Sequence, residues 1–169
     1  LWKQVLETPT LENPFNGGDP CVDLGGVVEP FGPFSGPPIE CTVTQGTKVF
    51  VTAFTSECST LEIGTPFGGS NPRELRACAR AVDAGITRTD VALDGRAVPV
   101  NEVESGLLRL NLPGDNIFGA PAGPGPLSVA HGWVAHLGQP LRPGEHKITI
   151  AIAGTYLGEP VDFTITTTS

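Results

Sequence analysis

The chain has 169 residues and a net charge of −8, with 10 basic side chains against 18 acidic ones. That balance argues against a nucleic-acid partner, which needs clustered Lys and Arg, and against adsorption to anionic lipid. Mean hydropathy is +0.05 and no apolar run approaches a bilayer span, so one globular domain over 1–169 without membrane insertion is expected.

Abundant Gly (22) and Pro (17) favour turns and short strands over long helices. The chain contains no Met, which leads to the expectation of a mature or trimmed form whose signal peptide is already gone. Cysteines stand at 21, 41, 58 and 78. None forms a C-x-x-C pair, so zinc-ribbon and thioredoxin-type chemistry is not indicated. An even count without metal spacing points to disulfides, and disulfides to a secreted, extracellular protein. Three connectivities are possible. Cys21–Cys41 and Cys58–Cys78 are preferred, since each closes a loop rich in Gly and Pro.

In chain order, Trp2–Glu7 reads as a short amphipathic turn, and Glu12 to Pro20 as a loop. Phe31 to Pro38 is too rich in Gly and Pro for a regular element and is expected to cover one side of a central strand. That strand is Val49 to Phe54, whose two alternating sets of side chains are both apolar. Asn71-Pro72-Arg73-Glu74 opens a helix, with Asn as N-cap and Pro in the first turn, running over 71–84 to Gly85. Leu75, Cys78, Ala79 and Val82 form its inward stripe. Arg76 and Arg80 share another face, expected to be a solvated one, although it could hold an acidic loop or a ligand.

Asp94-Gly95-Arg96 joins two strands as a hairpin. Gly106 to Leu112 alternates, Ala120 to Pro126 reads as a loop, and Leu127 to Leu137 as a long strand bulged at Gly132. Strands over 145–152 and 161–167 close the chain. The class expected is mainly β: an antiparallel β-sandwich, Ig-like or jelly-roll, with one short helix and long Gly/Pro loops.

Two resemblances accompany this reading. Leu141-Arg142-Pro143-Gly144-Glu145-His146-Lys147-Ile148 and the strand after it look like the last hairpin of exported Ig-like and jelly-roll domains. Trp2, Glu12-Asn13-Pro14, Cys21, Cys41-Thr42-Val43, Glu57-Cys58-Ser59, Leu75-Arg76-Ala77-Cys78 and Leu93-Asp94-Gly95 are similar to a group of secreted bacterial proteins. That group has a Trp-rich N-terminus and four cysteines. It has no assigned activity, so the resemblance implies no catalytic residue.

The chemistry-bearing residues are sparse. His131 and His136 are five apart and point to opposite faces of a regular strand. His136 and His146 flank one connection, but no third ligand accompanies them, so no metal and no cofactor are expected. Glu57, between the central strand and Cys58, is the acid best placed for acid–base work, with Glu62 as a partner. Asp19 with Asp23, and Asp115 with Asn116, carry oxygens suited to calcium but lack a full loop pattern. No G-x-S-x-G is present. The catalytic candidates are therefore Glu57, His131 and His136. Phe15, Phe31, Phe34, Phe67, Phe118 and Trp133 are candidates for a binding patch toward protein or carbohydrate. The leading expectation is a non-catalytic extracellular binding or interaction module. A small secreted hydrolase or lyase and a structural subunit of an extracellular assembly, built through the strand Val161 to Thr167, are the alternatives.

Overall fold

The computed structural model describes residues 1–31, 38–137 and 141–157, and the backbone of 159–168. Helix α1 is Trp2–Leu6. Strands β1 (Cys21–Asp23), β2 (Val27–Pro30) and β3 (Lys48–Ser59) follow, then helix α2 (Pro72–Val82). The remaining strands are β4 (Ile86–Leu93), β5 (Arg96–Val98), β6 (Asn101–Glu104), β7 (Leu108–Leu112), β8 (Gly123–His136), β9 (Lys147–Tyr156) and β10 (Glu159–Thr168).

The central apolar run lies inside β3, which lengthens to 12 residues. This strand sits between β2 and β8 in the larger sheet, ordered β1-β2-β3-β8-β6, with β7 also paired to β8. The smaller sheet is β10-β9-β4-β5. Val49, Val51, Ala53 and Phe54 from β3 share one core with Ile86, Val91, Ile148, Ile150 and Ile152 of the smaller sheet. Burial of these branched side chains, at about 1.5–3 kcal/mol each, holds the two sheets together. The β2–β3 pairing is parallel, so the sheets are not purely antiparallel as expected.

The bulge falls across the ladder from the expected position. The register slips between Thr52 and Phe54, which makes Ala53 of β3 the extra residue. Gly132 lies beside it with φ +155°, and a Cβ there would meet Phe54 O at 2.3 Å. Strand β8 also begins earlier than read, at Gly123. Pro124 is accommodated because this end pairs with β7, while the β3 ladder reaches only Ser128. The Asp94-Gly95 turn forms as expected, with φ 51° and 76°, joining Leu93 to Arg96.

Helix α2 is capped by Asn71, whose Oδ1 accepts from Arg73 N and Glu74 N at 3.1 Å each. Glu74 reaches back to Ser70 N at 2.8 Å. Asn71→Ala is expected to cost about 1 kcal/mol in a denaturant titration. The helix stops at Val82, before the expected boundary. Asp83, its C-cap, turns toward Ser56 and His131. Gly85 instead serves a close approach, since a Cβ there would meet Thr155 Oγ1 at 2.2 Å. Leu75, Ala79 and Val82 pack on Cys58 and Val129. The disulfides are Cys21–Cys41 and Cys58–Cys78, a pairing suited to an oxidising compartment. No helix among the described residues is long and apolar enough to cross a membrane.

The outer face of β3 and β8 is covered by the N-terminal segment. Val5 and Leu6 of α1 are buried. Trp2 Nε1 donates to Thr55 Oγ1 at 2.9 Å, and Asn13 Nδ2 donates to Val5 O at 2.7 Å. Positions 32–37, central to the cover expected over 31–38, lie outside the described residues.

Candidate functional site

Alternation along β3 separates the candidate groups. Ser56 and Cys58 point toward α2, whereas Thr55 and Glu57 point to the α1 side. Glu57 is buried and accepts from the Ser128 hydroxyl. Burial pushes its carboxyl up to about 8, although the Ser128 bond works in the opposite direction, and nearby Glu62 raises it further. Glu62 is raised too, chiefly by burial, while accepting from Ser59 Oγ at 3.1 Å. A second buried acid, Glu29, lies on the same sheet and is likewise pushed up to about 8 by burial. Its Oε1 accepts from Thr52 N and Oγ1 at 2.8 and 2.6 Å. Its Oε2 has no hydrogen-bond partner among the described residues.

His131 lies on the opposite face from Glu57. Its Nδ1 is 3.0 Å from Asp83 Oδ2, and its Nε2 is 3.3 Å from Glu102 Oε1. Burial raises the Asp83 carboxyl, against the pull of its bonds to His131 and Ser56. Ser56 Oγ lies 2.9 Å from Ala79 O and 3.0 Å from Asp83 Oδ2. The hydroxyl thus serves the acid and the helix carbonyl, so the nucleophile-to-imidazole bond of a Ser-His-Asp triad is not made here. Arg76 and Arg80 both engage Glu104 on β6, so the face expected to be simply solvated carries an acidic partner.

The other histidines have separate partners. His136 stacks on Phe50, ring centroids 5.0 Å apart. His146 Nδ1 meets Asp94 Oδ2 at 2.8 Å and its Nε2 meets Arg142 O at 2.8 Å. The Asp94 bond holds the imidazole above its ordinary value. Asp19 and Asp23 accept from backbone amides of their own turns, and Asn116 bonds four times within its loop. No three His, Cys, Asp or Glu among the described residues form a metal-binding group.

The loop aromatics divide among different clusters. Phe15 and Phe31 meet each other at 5.2 Å and both meet Trp2, at 6.0 and 5.6 Å. Phe67 packs under α2, Phe118 packs on Leu6, Leu110 and Leu112, and Trp133 packs on the inter-sheet core. Phe34 lies outside the described residues. One open platform therefore does not gather from these rings.

Beside the Trp2 cluster a cleft opens on the outer face of the larger sheet. One part, about 410 Å³, is lined by Leu24, Val27, Lys48, Val49, Phe50 and His136 together with Leu1. The other, about 200 Å³, includes Trp2, Thr52, Thr55, Val103, Ala130 and Val134. Leu1 and Phe50 line both parts. The first volume lies in the range of roughly 300–1,000 Å³ typical of small-molecule sites, which are mostly apolar with a few polar groups.

Of the residues singled out from the sequence, His136 lines the larger part and His131 the smaller, whereas Phe50, Lys48 and Val134 were missed. Phe50 was read as buried on a two-faced strand, and only the alternation of β3 against β8 shows that it is half-exposed. No family model, curated protein or solved structure matches the chain.

Proposed function

We propose that the chain is an extracellular binding domain whose ligand lies in the cleft on the β3–β8 face. The observation that carries this reading is the cleft itself, an apolar hollow over a sheet face that the N-terminal segment covers elsewhere. The disulfide pair supports secretion. The inter-sheet core supports the β-sandwich reading, and the closing β9–β10 hairpin supports kinship with exported sandwich domains.

The test is titration with an uncharged apolar fluorophore, N-phenyl-1-naphthylamine. Phe50→Asp places a charge on the wall common to both parts of the cleft, and at least a tenfold loss of affinity is expected. Ile63→Asp, at an exposed apolar site away from the cleft, should leave affinity unchanged. Equal binding by both variants would end this reading.

A second reading, a small hydrolase or lyase, draws on the Asp83–His131 pair. Asp83 orients the imidazole through Nδ1, and its second nitrogen, facing the exposed Glu102 carboxylate at 3.3 Å, is the one placed for proton transfer. This reading requires turnover of an ester or polysaccharide that His131→Asn abolishes while the fold survives.

A further inference from the structure

Charge is distributed unevenly around the cleft. The chain is strongly acidic and its lysines are Lys3, Lys48 and Lys147. No acidic side chain lines the larger part, yet Lys48 does. Glu29, from the strand next to Lys48, is fully buried and turned to Thr52. In the smaller part the ionisable side chains are committed: Lys3 to Glu7 and Arg109 O, Glu104 to Arg76 and Arg80, and His131 to Asp83 and Glu102. Lys48 is exposed and has no ion pair among the described residues. The cleft is thus largely apolar, with the uncommitted side-chain cation Lys48 at one end beside the His136 imidazole on Phe50, while the α-amino group of Leu1 lies near the Glu29 carboxyl.

We infer that the ligand is a single-chain carboxylate amphiphile. Its head pairs with Lys48 and its alkyl chain runs past Phe50 toward Thr52 and Val134. This inference rests on the cleft reading above and adds the ligand class. A carboxylate fits better than a phosphate head. One ammonium supplies a point charge, whereas phosphate sites gather several donors, typically an Arg fork or a helix N-terminus. No Arg lines this end of the cleft, and α1, whose N-cap Leu1 does, is a short helix of 5 residues.

The experiment is calorimetric titration of the whole chain with decanoate, decan-1-ol and decyltrimethylammonium, each below its aggregation threshold. Decanoate should bind tightest. Lys48→Gln should weaken decanoate roughly twofold to fivefold, the range of an exposed ion pair. It should leave decan-1-ol unchanged, and Lys48→Arg should restore most of the loss. Decan-1-ol or the ammonium binding as tightly as decanoate, or decanoate indifferent to Lys48→Gln, would overturn the head-group assignment and leave the cleft reading intact. If none of the three binds and N-phenyl-1-naphthylamine also fails, the cleft reading falls and this inference falls with it.

Discussion

Lowering the pH from 8 to 5 should stabilise this protein. Glu57 and Glu29 are both buried with folded values pushed up to about 8, while an unfolded glutamate titrates near about 4.3. Between those limits the folded chain holds protons that the unfolded chain has released. Stability therefore falls as pH rises through the window, by up to about 1.4 kcal/mol per pH unit for each group, and levels off above it.

Glu62 and Asp83, raised chiefly by burial, add to this slope in the same direction, and the α-amino group of Leu1, lowered by burial, works against it. His146, raised by Asp94, contributes stability that is present in acid and lost as pH rises through its folded value, the same direction. Asp94, Glu104 and Glu74 are held low by their hydrogen bonds and work the opposite way. Their effect comes only as pH falls through the folded carboxylate range, below the window above.

Glu57→Gln should remove its share of the slope. The amide oxygen still accepts from Ser128, and the variant should exceed the wild type at pH 8 by on the order of a few kcal/mol. Urea midpoints at pH 5, 6.5 and 8 measure this. A midpoint that rises with pH, or a Gln variant weaker than the wild type at pH 8, would show that Glu57 is ionised in the fold and held by a cation.

Gly132→Ala should be the most damaging single-methyl change in the larger sheet. The added Cβ would lie 2.3 Å from Phe54 O and 2.6 Å from Thr55 Cα, both backbone atoms. A side chain can rotate away from such a clash, whereas a ladder strand has to move. The φ of +155° adds backbone strain for an L residue. Strain and overpacking together suggest a loss on the order of 4 kcal/mol. The consequence extends to the cleft, because Phe50, Thr52 and Thr55 keep their outward direction only if Ala53 absorbs the register slip. A thermal melt should show a large fall in midpoint, together with weakened binding of the apolar fluorophore. Alanine tolerated within 1 kcal/mol would mean that the bulge slides freely along β3.

Much of the framework was legible in the sequence for identifiable reasons. The α2 cap, the Asp94-Gly95 turn and the buried run of β3 are local signals, each written within a few residues. The disulfides followed from loop composition. Strands β1, β2 and β6 were missed. The first two are short pieces in Gly-rich sequence, and Asn101-Glu102-Val103-Glu104 is an exposed strand with no apolar period.

The candidate sites were less legible because they depend on which strands meet. Glu57 and His131 are on neighbouring strands, yet alternation sends them to opposite faces. Asp83 gains its significance only where the end of α2 meets β8. The cleft joins Lys48, Phe50 and Val134 from segments more than eighty residues apart, a proximity that only long-range pairing creates.

The most direct test of the binding account is an amide-resolved NMR titration of the whole chain with N-phenyl-1-naphthylamine. The account predicts that the largest shifts fall on Val27, Lys48, Phe50, Thr52 and Val134, along one face of the larger sheet. Shifts centred on Ser56, Asp83 and Glu102, or scattered over Phe67 and Phe118, would contradict it and place the working site elsewhere.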